Sequence, residues 1–129
     1  MKNDESLKNK GNCPTLRTIP MPSDTNANGD IFGGWLLSQM DLAGAVVAVA
    51  RAKNRVATVG VNAMSFHKPV NVGDTVSFYT EIQRVGNTSL TVKIESWAKR
   101  RLTGEEVKVT EGEYTYVAID ENGQSKKVD

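Results

Sequence analysis

The order of apolar and polar residues divides the chain into a loop-rich first part, one long apolar segment and a series of alternating segments. Residues 15–21 favour a short strand bounded by prolines, and residues 22–34, rich in Asn, Asp, Ser, Gly and Pro, are typical of a loop. From Gly34 to about Ala52 nearly every residue is apolar and no proline occurs, which predicts a long helix. Because a helix that is apolar on all sides must be covered by protein, we expect it to lie at the centre of the fold.

After this segment the apolar period changes to that of β-strands. Four strands are predicted, over residues 56–66, 76–83, 90–95 and 107–119. Gly86-Asn87 predicts a tight hairpin, and a change of phase near Gly112 predicts a bulge in the fourth strand. Together these elements predict an α+β fold in which the short first strand and an antiparallel meander of four strands wrap around the helix.

Length, composition and charge limit the class of protein. The chain has 129 residues, of which 39% are hydrophobic and 24% charged, as is typical of a single globular domain. We expect a flexible polar tail over residues 1–14, one domain over 15–120 and a second polar tail over 121–129. A net charge of +1 gives no reason to expect nucleic-acid binding. No signal-like segment and no apolar run of about 20 residues occurs, so we expect no membrane contact and a cytoplasmic location.

The supply of metal ligands and nucleophiles is small. Cys13 is the one cysteine and His67 the one histidine of the sequence, so neither an internal disulfide nor an ordinary zinc ligand set can be assembled. No Ser or Cys has a His at a recognisable spacing, which argues against a Ser-His or Cys-His nucleophile. We therefore expect neither a metal site nor a bound cofactor.

The most unusual residue of the predicted helix is Asp41. It lies among apolar residues, with Ser38 three positions earlier on the same face. A buried carboxylate is costly unless it is paired, so Asp41 is either a candidate base beside a cleft or a structural residue at a subunit boundary or a neighbouring loop. The residue alone leaves both interpretations open.

A second candidate is the glycine-rich segment 26–34 that leads into the helix. Glycines allow a ligand close to the backbone, and the free N–H groups of a first helical turn stabilise negative charge, so an oxyanion hole could form here. A simple N-terminal cap by Asp30 explains the same segment without any ligand. Weaker polar candidates lie in the first long strand (Thr58, Gly60 and Asn62), while ordinary turn chemistry accounts for the hairpin and for His67 and Lys68.

Three sequence segments in combination resemble a known family. They are PSDTNANGDIFGGWLLSQMDLAG, RVATVGVNAMSFHKPVNVGD and the VGNTS hairpin. Over about residues 15–120 the chain is similar to the acyl-CoA thioesterases of the hotdog fold, specifically the YciA-like acyl-CoA hydrolases. The resemblance implies a long helix wrapped by a curved antiparallel sheet of about five strands. It also implies hydrolysis of an acyl-CoA thioester to a free carboxylic acid and coenzyme A, which is part of substrate and product rather than a cofactor.

The resemblance also implies an assembly and individual catalytic roles. Homodimers would carry active sites at the boundary between subunits and would assemble as trimers of dimers. Asp41 matches the catalytic carboxylate, which would activate a water or attack the thioester directly. Gly33 and Gly34 match the backbone N–H groups that bind the thioester oxygen. Thr58 matches a threonine that the partner subunit contributes near the nucleophile.

Further positions concern the binding of coenzyme A. Residues that line the coenzyme A channel in relatives match Val59, Gly60, Asn87, Thr88 and Ser89. Asp30 stands where some relatives have an Asn, so either Asn28 or Asp30 is expected to contact the substrate. Arg55 is a plausible phosphate contact by its charge and location alone.

Two other classes of protein compete with a thioesterase. A hydratase or dehydratase acting on an acyl thioester pairs a His with an acidic residue, but His67 lies outside the loop and helix that would need it. A non-catalytic acyl-CoA sensor would need a DNA-binding segment, and the residues before Thr15 are too few to form a helix-turn-helix. The preferred acyl group stays open, because one methylene changes selectivity by only ~1–3 kcal/mol.

Overall fold

The structure, a computed structural model, describes residues 6–129 and contains one long helix packed on one antiparallel sheet. The helix is α1 (Gly33–Ala52), and the strands are β1 (Leu16–Thr18), β2 (Val56–Phe66), β3 (Thr75–Val85), β4 (Ser89–Lys99) and β5 (Glu106–Ala118). The predicted α+β class, with a sheet of five strands around one helix, is confirmed.

The order of strands across the sheet differs from the predicted meander. The order is β1-β3-β4-β5-β2, so β3, β4 and β5 form a meander, while β2 lies at the far edge and pairs with β5. The prediction that β2 continues directly into this meander is therefore wrong. Residues 67–74 connect β2 to β3. Eight extended residues span up to ~27 Å, which exceeds the ~14 Å between strands three positions apart.

One face of α1 forms the core against the sheet. Its buried residues recur at helical spacing: Leu36, Met40, Ala43, Gly44 and Ala48. A methyl group on Gly44 would collide with the hydroxyl of Tyr116 and the side chain of Ile94, so this glycine allows the sheet to approach α1 closely.

The opposite face of α1 is not covered within one chain. Leu42 and Val46 are each 59% exposed, and Val49 is also exposed. By length and composition α1 would suffice to cross a membrane, but here it is the core helix of a sheet. The expected cover on all sides is thus incomplete in a single copy of the chain.

The irregularities of the sheet lie in different places from the predicted bulge. Gly112 pairs in register with Ile94, and the shift between β4 and β5 falls at Ser96 and Trp97. The neighbouring strand β2 is irregular opposite Gly112, between Asn62 and Ser65. A Cβ atom on Gly112 would lie 2.6 Å from the terminal methyl of Met64, so a larger residue here would require the flexible Met64 side chain to move.

Both polar ends of the described chain contact the domain. The N–H of Leu7, which is fully buried, donates to Glu95 Oε1 at 2.9 Å, and the N–H of Val128 donates to the carbonyl of Asn87 at 2.9 Å. Each end carries one apolar side chain that the domain covers, which composition alone does not reveal. Residues 1–5 of the predicted N-terminal tail lie outside the described residues, and the domain limits at 15 and 120 stay a prediction.

Candidate active site

Asp41 and Thr58 lie in direct contact. The Thr58 hydroxyl donates to Asp41 Oδ1 at 2.7 Å. Lys53 ends α1 in a left-handed conformation (φ 53°), so the chain reverses and β2 returns along the helix. Both residues belong to the same chain, and which subunit's threonine serves each active site stays a prediction.

Two buried tyrosines of β5 fix the helix under Asp41. Tyr114 donates to the carbonyl of Leu37 at 2.8 Å, and Tyr116 donates to the carbonyl of Asp41 at 2.9 Å. Burial, and secondly the negative charge of Asp41, raise the pKa of both phenols far above its usual value, so they stay protonated donors. The sequence analysis missed this role. Its signal is two tyrosines two positions apart on the inner face of a strand, where each hydroxyl needs a partner.

The helix begins without a side-chain cap. Phe32 is the N-cap residue in extended conformation (ψ 152°), and its side chain makes no capping hydrogen bond. The predicted cap by Asp30 is therefore wrong. Instead, the loop before the helix is closed by Asn26, whose Oδ1 accepts the N–H groups of Asn28 and Asp30 at 2.9 and 3.2 Å. The first N–H groups of α1, at Gly33 and Gly34, can thus receive an oxygen with developing negative charge.

These glycines are remote from Asp41 in the same helix. Gly34 and Gly33 precede Asp41 by seven and eight residues, which is about 10–12 Å along a helix axis. An oxygen bound at the glycine N–H groups therefore belongs to a different site from the carboxylate of the same chain. Of the predicted catalytic residues, the structure joins Asp41 with Thr58 and separates both from Gly33 and Gly34.

Val59 and Gly60 lie beside Thr58 on the outer edge of the sheet. A register shift between Thr58 and Gly60 leaves Val59 outside the ladder with β5, and its side chain is 58% exposed. Nothing lies within 4 Å of a Cβ placed on Gly60. The strand is therefore open to a ligand or another chain along the residues next to the Asp41–Thr58 pair.

The other predicted coenzyme A contacts gather at one end of the sheet. Arg55 borders a cavity of about 570 Å³, to which Asn54 and Lys126 also contribute. The Ile119 N–H donates to the carbonyl of Arg55, and the neighbouring Ala118 N–H donates to the carbonyl of Thr88 at 2.9 Å. The hairpin residues that lie there with Arg55 are Asn87, Thr88 and Ser89. Lys126, whose ammonium donates to Asn54 Oδ1 at 3.2 Å, was missed because it lies in the predicted tail.

A smaller cavity lies at the opposite end of α1. It has a volume of about 290 Å³, and Gly33, Leu36, Phe66 and His67 contribute to its wall. His67 Nε2 lies 2.9 Å from Glu111 Oε2. His67 lies outside the loop and helix in the sequence, as expected, but the structure brings it into one cavity with Gly33. Within residues 6–129 no group of three His, Cys, Asp or Glu side chains is placed to hold a metal ion.

Comparisons with known proteins show the family of this chain. The family model of the thioesterase superfamily matches residues 28–105. A protein of Buchnera aphidicola named as an uncharacterized acyl-CoA thioester hydrolase is 53% identical, covering 96% of this chain and 93% of its own. The acyl-CoA thioester hydrolase YciA of Escherichia coli is 49% identical, covering 86% of each chain.

Solved structures give the same result for the fold. A hexameric thioesterase from Yersinia pestis is 48% identical, with a TM-score of 0.86 over 91% of this chain and 96% of that one. A hexameric hotdog fold thioesterase of Campylobacter jejuni is 40% identical, with a TM-score of 0.87 over 92% of this chain and 91% of that one.

Proposed function

This chain belongs to the thioesterase superfamily and is an acyl-CoA thioester hydrolase of the hotdog fold, and we propose that Asp41 carries out the hydrolysis. The products are a free carboxylic acid and coenzyme A. The observation that supports this role is the hydrogen bond from Thr58 to one carboxylate oxygen on a half-buried helix position. This hydrogen bond holds the Asp41 carboxylate in one orientation, beside the edge strand β2.

In the proposed reaction Asp41 acts as the general base. Its carboxylate takes a proton from a water that attacks the thioester carbonyl carbon, and the carbonyl oxygen becomes an oxyanion. The tetrahedral intermediate then expels the coenzyme A thiolate, which takes the proton back from Asp41. Thr58 and Tyr116 are positioning residues, since they bind the carboxylate and the backbone carbonyl of Asp41.

The oxyanion must be bound by N–H groups of a second copy. The glycine N–H groups lie about 10–12 Å from Asp41 of their own chain, which is too far for one thioester group. We therefore assign the oxyanion hole to Gly33 and Gly34 of the partner subunit. Each active site then combines Asp41 and Thr58 of one copy with the helix start of the other.

The surface of the chain favours a dimer of this kind. β2 is an edge strand, and exposed apolar side chains lie on it and on α1: Leu42, Val46, Val59, Val61 and Phe66. A long apolar edge strand needs cover. If β2 pairs antiparallel with its own copy around Asn62, Phe66 and Gly33 of one copy approach Thr58 and Asp41 of the other. Three such dimers would form a hexamer, the state of the solved relatives.

The coenzyme A part of the substrate extends along β2 to the end of the sheet. We propose that Val59 and Gly60 line its path and that Arg55 binds a phosphate, with Asn87, Thr88 and Ser89 beside it. Of the loop residues, Asn28 and Asp30 are both exposed, and either side chain is free to reach the substrate of a neighbouring copy. A cytoplasmic location stays a prediction.

Mixing of inactive variants tests this composite site. Asp41→Ala removes the base, and Gly33→Pro or Gly34→Pro removes one N–H donor. Proline fits the first helical turn, and at position 33 the extended Phe32 also suits it. A mixed dimer of Asp41→Ala with a glycine variant has one intact site, so a 1:1 mixture should recover about a quarter of wild-type thiol release.

The control mixture combines Asp41→Ala with Thr58→Ala. In the mixed dimer each site then takes its base and its threonine from one chain, so no site is intact. The mixture should show no more activity than the mean of the two parent variants. Subunit exchange is verified by mass spectrometry of differently labelled chains. Recovery in the control mixture, or none in the glycine mixture, would contradict the assignment of residues to subunits. Normal turnover by Asp41→Ala alone would remove Asp41 from the reaction.

A further inference from the structure

The cavity at the start of α1 is the strongest feature that the proposed mechanism leaves unused. Its wall includes Gly33, whose N–H is a proposed oxyanion donor, and five apolar residues: Ile31, Leu36, Phe66, Pro69 and Val70. Ile31, Leu36 and Val70 are buried, whereas Phe66 is 56% exposed in a single chain and lies on the edge strand that the proposed dimer covers. The Phe66 ring lies 3.6 Å from the position of a Cβ on Gly33, so it is the apolar group next to the oxyanion donor.

We infer that this cavity receives the acyl chain of the substrate and that Phe66 determines which chain lengths are preferred. The inference rests on the proposed function, because the position of the thioester oxygen at the glycine N–H groups sets where the acyl chain begins. From that point the coenzyme A part of the substrate runs towards Asp41 and Arg55 of the other copy. The acyl chain lies on the opposite side of the thioester, in the apolar cavity beside Gly33.

The size of the cavity indicates the class of acyl group. In a single chain the cavity is open to solvent and has a volume of about 290 Å³. At about 30 Å³ for a group of the size of a water molecule or a methylene, it has room for an unbranched saturated chain of up to about ten carbons. The polar residues His67 and Lys68 also border it, and His67 is hydrogen-bonded to Glu111. An acyl group with a charged end would gain less from the apolar wall than an aliphatic one.

Chain-length dependence is the measurement that tests this inference. For wild-type protein, kcat/KM is measured by thiol release from acetyl-, butyryl-, hexanoyl-, octanoyl-, decanoyl- and lauroyl-CoA. Each methylene that enters the cavity should raise kcat/KM by up to about fourfold, equivalent to ~0.8 kcal/mol, and the increase should end near eight to ten carbons. Phe66→Ala should reduce the preference for octanoyl- over acetyl-CoA about tenfold. Phe66→Trp narrows the cavity and should move the optimum to shorter chains.

The control variant is Val72→Ala. Val72 is an exposed apolar residue of the connection between β2 and β3, and it does not border the cavity. The chain-length profile of the Val72→Ala variant should therefore equal that of wild-type protein. Light scattering must show the wild-type oligomer for every variant. If both Phe66 variants change acetyl- and octanoyl-CoA turnover by one common factor, the acyl chain lies elsewhere and the inference is wrong.

A binding measurement separates this inference from the hydrolysis mechanism. The thioethers S-ethyl-CoA and S-octyl-CoA cannot be hydrolysed, and their dissociation constants are obtained by calorimetry. S-octyl-CoA should bind at least tenfold more tightly than S-ethyl-CoA to wild-type and Asp41→Asn protein, and this difference should be lost in Phe66→Ala. Equal affinities would overturn the inference even if hydrolysis is normal. Unequal affinities with normal turnover by Asp41→Asn would support the cavity and contradict the mechanism.

Discussion

Strands β2 and β4 have the same length but contrasting surroundings. β4 lies at the centre of the sheet, and most of its residues are buried, among them Leu90, Val92 and Ile94. β2 lies at the edge, has two register shifts against β5, and contains Ala63 with a positive φ of 52°. β4 therefore holds the fold together, while β2 carries Thr58 and the residues next to the proposed site.

The contrast shows where this chain leaves its surface available for function. A central strand is bonded on both edges and covered by α1, so its backbone polar groups are paired within the chain. The edge strand keeps one side of its backbone unpaired and carries exposed apolar groups such as Val61. A substitution in β2 or its contact Asp41 should therefore change activity, whereas one in β4 should change stability.

The largest expected effect is that of Asp41→Asn. The amide is nearly isosteric and can still accept the hydrogen bond from Thr58, so the fold should be kept. Loss of the general base should lower kcat by about 10²- to 10⁴-fold, and kcat/KM should fall equally because the loss lies in the transition state. Thermal midpoint and oligomer mass are measured on the same variant. A lower midpoint with nearly normal kcat would assign Asp41 a structural role instead.

Ile94→Ala tests the opposite side of the contrast. The side chain is fully buried and packs against Gly44 of α1, so its removal leaves a cavity in the core. The free energy of unfolding should fall by about 2–4 kcal/mol in urea titrations at fixed protein concentration. The folded variant should keep kcat within about threefold, because Ile94 contacts no proposed catalytic group. Ile94→Val, which removes less volume, should cost about 0.5–1.5 kcal/mol.

Thr58→Val should have a smaller effect on turnover than Asp41→Asn. The change keeps the shape of the side chain but removes the hydroxyl that orients the carboxylate. A hydrogen bond to a charged group is worth ~1.5–3 kcal/mol, so kcat should fall at least about tenfold while KM stays unchanged. Thr58→Ser retains the donor and should recover most of kcat. Equal kcat values for the Val and Ser variants would show that the hydroxyl does not position Asp41.

The smallest expected effect on stability belongs to Glu111, which is hydrogen-bonded to His67 at the end of β2. Burial acts to raise the pKa of Glu111, but the hydrogen bond from His67 and the charge of Lys108 outweigh it and hold that pKa below its usual value. The carboxylate therefore stabilises the fold above about pH 4.3, and this contribution is lost as the pH falls through the lower folded-state pKa.

Glu111→Gln should consequently cost less than about 1 kcal/mol of stability at pH 7, because the pair is partly exposed to solvent. The difference from wild-type protein should shrink progressively in urea titrations as the pH falls below about 4.3. A difference that stays constant from pH 3 to pH 7 would show that the side chain acts through packing rather than through its charge.

Local periodicity was sufficient for most elements of the fold. The long apolar segment from Gly34 predicted α1 to within one residue, and residues 56–66 were predicted with the observed bounds of β2. The Gly86-Asn87 hairpin is also confirmed, with the Gly86 N–H bonded to the carbonyl of Ser89 at 2.7 Å. Each of these features depends on neighbours within a few positions of the sequence, and such neighbours determine the period of burial and the choice of turn.

The candidate site was identified only residue by residue. Asp41 was recognisable because a carboxylate in an apolar helix is costly, and the glycines at the helix start because they free backbone donors. The sequence by itself thus determined which groups could take part in chemistry. It did not determine their distances, since one face of a helix and one edge of a strand can meet in many registers.

Tertiary structure decided which of these groups come together. The reversal at Lys53 and the pairing of β2 with β5 bring Thr58 to Asp41 of its own chain, where the resemblance had implied the partner subunit. The same crossing of β2 to the far edge places Phe66 and His67 at Gly33, in a cavity that no local pattern predicts. Contacts of this kind depend on strand order and register, which are fixed by the burial of the whole sheet against α1 rather than by neighbouring residues.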